Sequence, residues 1–262
     1  MHEAWNAHRR QLDALVRAAT QALLTFVNAN PSMTVEELQF IYEALVDLYG
    51  AGAAESALLT LEGSRAAAGL QHLPAPVRAG LPPPAQVSGT FGWAASQAEN
   101  VQDLARVLAG PLGRLVRQPA RQTVFASTKE AGTRWARVPG GTACWFCLML
   151  ASRGAVYHSR ESASLTSKRS AVTPEVKFRN KSAQAGHSYK QGQAEGDKFH
   201  DNCDCQIVEV HDDSELPPII EELYDEWVDV TWTDGAPGGN QLQLWKEHIA
   251  KTRPNGEAAR PK

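Results

Sequence analysis

The residues best suited to chemistry in this chain are four cysteines and one histidine, and they arrive in two clips. Cys144 and Cys147 stand in G-G-T-A-C-W-F-C-L-M-L-A-S-R-G-A-V-Y, residues 140–157. Cys203 and Cys205 follow in K-F-H-D-N-C-D-C, with His200 three residues ahead of Cys203. A C-x-x-C pair and a distant C-x-C pair are a common way to supply the four near-tetrahedral ligands that zinc requires. Two intervening residues let both thiolates of a turn face one ion, which then replaces their protons. One structural zinc ion is therefore expected, held by four of Cys144, Cys147, His200, Cys203 and Cys205. Such a site would join two chain segments separated by a polar stretch with little to bury.

Other chemistries use the same residue types. A thioredoxin-like redox pair needs C-x-x-C opening a helix after a strand in a βαβ unit, and nothing upstream has that pattern. A cysteine nucleophile needs a histidine brought in by folding; His158 and His187 leave that reading open, whereas His200 sits at clip spacing. Ser159, Ser162 and Ser164 beside His158 supply the types of a serine protease without a G-x-S-x-G context, so the catalytic residues stay unassigned. A single buried cysteine is often only a small apolar side chain. That would explain Cys144 or Cys147 among Trp145, Phe146, Leu148 and Met149, but not the pair within H-D-N-C-D-C.

Charge is unevenly spread. The net charge of −3 over 262 residues hides fourteen Lys/Arg against three acids from Arg114 to Lys190, and nine Asp/Glu with no Lys/Arg from His211 to Asp234. Lys168, Arg169, Lys177, Arg179 and Lys181, with Phe178 and Tyr189 nearby, have the composition of a phosphate-facing loop. A DNA-binding or nuclease module is one reading; a solvated loop or a partner for the acidic tail is the other. The first residues lack a secretory-signal pattern, and no stretch reaches eighteen uninterrupted apolar residues. Synthesis in a reducing cytoplasm, without a membrane partner, is expected.

The elements that must position these clips are mostly helical. Leu12, Leu15, Val16, Ala19, Leu23 and Phe26 follow helical spacing up to N-A-N-P. Thr34 and Glu37 form a capping box ahead of the stripe Leu38, Ile41, Tyr42, Leu45, Val46 and Tyr49. A separate alanine-rich helix is expected from Ala53 to Ala68, then an extended connector from Leu73 to Pro84. The run Val101, Leu104, Val107 and Leu108 should close at Gly110-Pro111. Helical signal returns from Gln122 to Glu130, R-W-A-R-V-P-G-G reads as a turn, and Ser159–Gln193 as a long polar excursion. Q-I-V-E-V after Cys205 reads as a strand. The expected fold is α+β, mainly α: a helical region over 1–112, a small zinc-stapled α+β module over 113–210, and an acidic, Trp-containing tail over 211–262 that is loose from Thr252 onward.

The string R-V-P-G-G-T-A-C-W-F-C-L-M-L-A-S-R-G-A-V-Y together with F-H-D-N-C-D-C resembles the MuF-like head-morphogenesis proteins of tailed phages, most closely the actinobacteriophage set. The resemblance is specific over Arg137–Tyr157 and Lys198–Cys205 and loose over the first 130 residues. It implies a minor capsid protein of the virion head, made in the bacterial host cytoplasm and associated with the portal protein. Major capsid or scaffold protein and packaged DNA are further implied partners. The resemblance carries over Cys144, Cys147, His200, Cys203 and Cys205 as the metal group, with Arg153 and Gly154 as the turn after the first clip. Proteins of this set are often labelled capsid maturation proteases, which is the alternative function; no protease motif in this chain supports it independently.

Overall fold

The computed structural model describes residues 2–141, 143–155, 201, 203–212, 215–233, 236–237 and 239–253. Three long helices form its first layer: α1 (His2–Ala29), α2 (Val35–Ala67) and α4 (Val101–Ala131), with the shorter α3 (Pro84–Ala95) beside them. The capping box opens α2 as the sequence indicates. Thr34 Oγ1 accepts from the Glu37 backbone N–H at 3.2 Å, and the Glu37 carboxylate accepts from the Thr34 N–H at 2.8 Å. Such a cap contributes about 1 kcal/mol. Leu38, Tyr42, Leu45 and Val46 then pack with Leu23 and Val27 of α1 and with Leu104, Leu108, Leu112 and Leu115 of α4. Val27, rather than the expected Phe26, is the buried residue of the last turn of α1. By length and composition α2 could cross a membrane; here its most apolar face lies in this core.

Two helix boundaries differ from expectation, for tertiary reasons. The alanine-rich segment is not a separate helix but the second half of α2, which runs through Gly50 and Gly52. A Cβ at Gly50 would lie 3.3 Å from the Pro119 ring, so this glycine lets α4 pack close against α2. Likewise α4 does not close at Gly110-Pro111. It continues through Pro111 and Pro119 to Gly132, whose φ of 65° ends it. Each internal proline forfeits a backbone hydrogen bond, and burial of Leu108, Leu112, Leu115, Val116, Ala120 and Val124 along the same helix offsets that loss. One helix thus passes from the first core into the second.

The connector from Leu73 is extended up to Pro84, which is the first residue of α3, a helix that no sequence signal had marked. It is held to α4 by hydrogen bonds from Val77 N–H to Ser127 Oγ (2.8 Å) and from Ala79 N–H to Thr123 Oγ1 (3.0 Å).

The second layer is a two-stranded antiparallel ladder. β1 (Arg134–Val138) pairs with β2 (Gln206–Val210), with Arg134 opposite Val210 and Val138 opposite Gln206. R-W-A-R-V is thus a strand, not the expected turn, while Q-I-V-E-V is the strand it was read to be. Around the ladder stand α5 (Trp145–Ala151), α6 (Pro218–Thr231) and α7 (Gln241–Thr252); the two-residue strands β3 (Trp232–Thr233) and β4 (Ala236–Pro237) lie between α6 and α7. Trp245 of α7 is fully buried and donates its indole N–H to the Trp145 carbonyl at 2.8 Å. The fold is α+β, mainly α. The excursion Ser159–Gln193 and most of the tail beyond Thr252 lie outside the described residues.

Although β2 alternates apolar and polar residues, all five are buried. Glu209 is satisfied there by a fork from Arg65 of α2, with Nε–Oε2 at 2.8 Å and Nη2–Oε1 at 2.7 Å, and by the Thr133 hydroxyl at 2.5 Å. The same guanidinium donates to the carbonyls of Pro74 and Ser127, so one ion pair ties α2, the connector, α4 and β2. Burial opposes ionisation of Glu209, but the nearby His211 imidazole and hydrogen bonds from Arg65 and Thr133 bring its carboxyl down from 4.5 to about 2. The folded state thus prefers the carboxylate. Its stabilisation is complete above about pH 4.5 and is lost as pH falls from there toward 2. Glu209→Gln should cost about 3 kcal/mol at neutral pH and flatten the stability loss between pH 4.5 and 2, read by urea unfolding across that range.

Candidate metal centre

The ladder register brings the clips together. Because Val138 faces Gln206, the chain leaving β1 and the chain entering β2 emerge at the same end of the sheet. From there Pro139–Ala143 lead to Cys144, the residue capping α5, and Cys147 falls in that helix's first turn. Across the ladder, Cys203 and Cys205 lead straight into β2. Arg9 of α1 secures this end by donating to the carbonyls of Pro139 and Val138 at 3.0 and 3.3 Å. A Cβ at Gly140 would collide with the Asp204 carboxylate, so any larger residue in the turn before the first clip would have to displace that side chain of the second.

The Sγ atoms of Cys147, Cys203 and Cys205 all lie within 4.8 Å of one another, and those of Cys147 and Cys203 are 3.6 Å apart. Tetrahedral coordination at about 2.3 Å per metal–sulfur bond places sulfurs roughly 3.8 Å apart, so the cluster is compact enough to share one metal ion. All four cysteines are free thiols. Cys144 is half-buried and its thiol lies beside that of Cys147. The described residues can therefore hold a metal ion with three buried thiolates and Cys144 at their edge. His200 lies outside the described residues. Its neighbour Asp201 is ion-paired to Arg114 of α4 at 2.9 Å, which fastens the start of the second clip to the helical layer.

Two arginines that carry no local sequence signal complete the centre. Arg121 of α4 is buried and donates Nη2 to the carbonyls of Cys203 (2.8 Å) and Cys205 (2.9 Å). Arg137 of β1, also buried, directs Nη1 at the Cys147 sulfur at 3.7 Å. Burial lowers Arg121 to about 10, which leaves it cationic at neutral pH. Hydrogen bonds from Cys147 and Cys205 draw the Cys203 thiol well below its ordinary range, while hydrogen bonding to Cys144 and then Cys203 drives Cys147 up. A divalent ion bound there would take the place of the thiol protons. Bound by three or four thiolates, such an ion would carry a net negative charge, and two buried guanidiniums offset it where water cannot.

The other candidate groups are not brought to this centre by the described residues. Lys168, Arg169, Lys177, Arg179 and Lys181 lie outside them, as do His158, His187, Ser159, Ser162 and Ser164. Arg153 and Gly154 form the turn after α5, with Gly154 at φ 60°. A serine–histidine contact occurs elsewhere: His8 Nδ1 lies 2.7 Å from Ser56 Oγ. That hydroxyl donates to Gln11 Oε1 at 2.6 Å, so it joins α1 to α2 as part of a polar chain instead of being activated as a nucleophile. Arg121→Met should lower affinity for zinc or cobalt by about tenfold, as for loss of a residue supporting the ligands. Competition with a chromophoric chelator reads that loss, and Arg121→Lys should restore part of it by returning the charge.

A family model described as VG15 protein matches residues 1–230 of the chain. Comparison with curated proteins and with solved structures returned no match.

Proposed function

Because the chain belongs to the VG15 protein family, a family of phage gene products, we propose that it is a minor capsid protein acting in head assembly at the portal, with one structural zinc ion holding its second layer together. The observation that carries the structural role is the enclosure of the centre. Cys147, Cys203 and Cys205 are 0, 2 and 1% exposed, and they are packed among α4, α5 and the ladder. A catalytic zinc keeps an open position for water or substrate, whereas a structural one is closed by its four ligands. In this reading Cys147, Cys203 and Cys205 bind the ion, and Cys144 or His200 completes the set. The ion supplies charge and four directed bonds; Arg121 and Arg137 keep the thiolates in place, and Gly140 lets the two clips close on one another.

The extended match of both clips to the MuF-like pattern supports the head-assembly role. On that reading the portal protein is the first partner, and major capsid or scaffold protein a second. Packaged DNA would meet Lys168, Arg169, Lys177, Arg179 and Lys181. The protein is made in the host cytoplasm and resides in the virion head.

Purified protein should carry about one zinc per chain by elemental analysis. Cys203→Ser should release the metal and lower the melting temperature sharply. Cys144→Ser and His200→Ala, compared at equal protein concentration, assign the fourth donor as the one whose loss reduces zinc content. A metal-free preparation whose melting temperature ignores chelator would overturn the zinc role. Absence of the protein from purified procapsids would overturn its place in the head.

A further inference from the structure

The solvent-facing side of α2 has a composition that the core does not explain. Glu36, Phe40, Glu43, Asp47, Leu48, Glu55, Leu59 and Glu62 recur at helical spacing along one face, a strip of roughly 40 Å at 1.5 Å per residue. Its large apolar members are among the most exposed in the chain: Phe40 is 74%, Leu48 67% and Leu59 58% accessible. Between Arg17 and Arg65 the sequence has six Asp/Glu and no Lys/Arg, and all six acids belong to α2. Among the described residues, Glu55 alone of the six forms an ion pair, with Arg78 at 3.5 Å. At the N-terminal end of the strip is a groove of about 650 Å³ lined by Asn30, Met33, Thr34, Glu36, Phe40 and Ile41.

We propose that this face of α2 is the docking surface for a basic amphipathic helix of the portal protein, a reading that rests on the head-assembly role above. Charge selects the occupant. A second copy presenting the same face would set acids against acids, and nucleic acid would be repelled along the whole strip. A helix with apolar residues at i, i+3/i+4 and i+7 and Lys/Arg on its flanks satisfies both components at once. It buries Phe40, Leu48 and Leu59 and places cations beside Glu36, Glu43 and Asp47. The groove near Met33 and Ile41 then receives one large side chain at the end of that helix. The positions are outside the core and outside the metal centre, so they can be altered without disturbing either.

The test uses the full chain co-expressed with the portal protein of the same phage. Three forms are compared: wild type, Phe40→Ser/Leu48→Ser/Leu59→Ser, and Glu36→Lys/Asp47→Lys, with thermal melts and zinc content confirming that each is folded. The wild type should bind the portal, and each variant should bind at least tenfold more weakly. Wild-type binding should also weaken as salt rises, and less steeply for the charge-reversed form. A photoreactive side chain at position 40 should cross-link to a portal segment rich in Lys/Arg with helical apolar spacing. If folded variants bind the portal as the wild type does, the surface is wrong and the head-assembly role stands. Cross-linking to a second copy, or to this chain's own Lys168–Lys181 stretch, also overturns the proposal. If the wild type itself does not bind the portal, the head-assembly role fails and this surface assignment falls with it.

Discussion

The pairing of Arg134–Val138 with Gln206–Val210 is the constraint on which the rest of the structure depends. Five residues on each side make a ladder too small to be stable alone in water, and its two strands are distant in sequence. Its register nevertheless decides everything at the centre, because a shift by one residue would turn every side chain to the opposite face. Glu209 would then leave Arg65, and Cys203 and Cys205 would leave Cys147. The ladder is kept in register by what it carries: Glu209 fixed from α2, Gln206 Nε2 bonded to the Trp5 carbonyl at 3.0 Å, and the thiol cluster at its end.

The interior is consequently more charged than its size suggests. Arg65, Arg121, Arg137 and Glu209 are all buried, and taking such groups from water costs several kcal/mol each unless they are fully paired. They are placed where they act on backbone or sulfur as well as on one another. Arg65 binds two carbonyls besides its carboxylate, and Arg121 binds the two carbonyls that flank Asp204. This arrangement favours a single packing over maximal stability, since an alternative packing would leave at least one of these ions without partners.

Much of this was legible where the signal is local. The Thr34–Glu37 cap, the stripe from Leu38 to Tyr49, the β2 strand and the two cysteine clips all rest on residues within a few positions of one another. What was not legible depends on distant compensation. Gly110-Pro111 reads as a helix stop because the packing that carries α4 through it comes from α1, α2 and α3. The segment from Ala53 reads as a separate helix because what packs the join at Gly50 is Pro119, 69 residues away in the sequence. The strand character of R-W-A-R-V depends on a partner beyond residue 205, and Arg65 and Glu209 meet across 144 positions. In each case a local rule was obeyed or broken for a reason that lay in another element.

The ladder and the thiol cluster have a further consequence for the segment between Ala155 and Asp201. Ala155 is buried at the end of the α5 turn and Asp201 is fastened to Arg114, so the fold sets where that segment departs and where it returns. The entropy of closing a loop grows only with the logarithm of its length, about 0.6 kcal/mol for each doubling. A change of chain length between these two fixed points therefore costs little closure entropy. The two anchored ends, Ala155 and Asp201, rather than the length of chain between them, set the frame that holds the sulfurs.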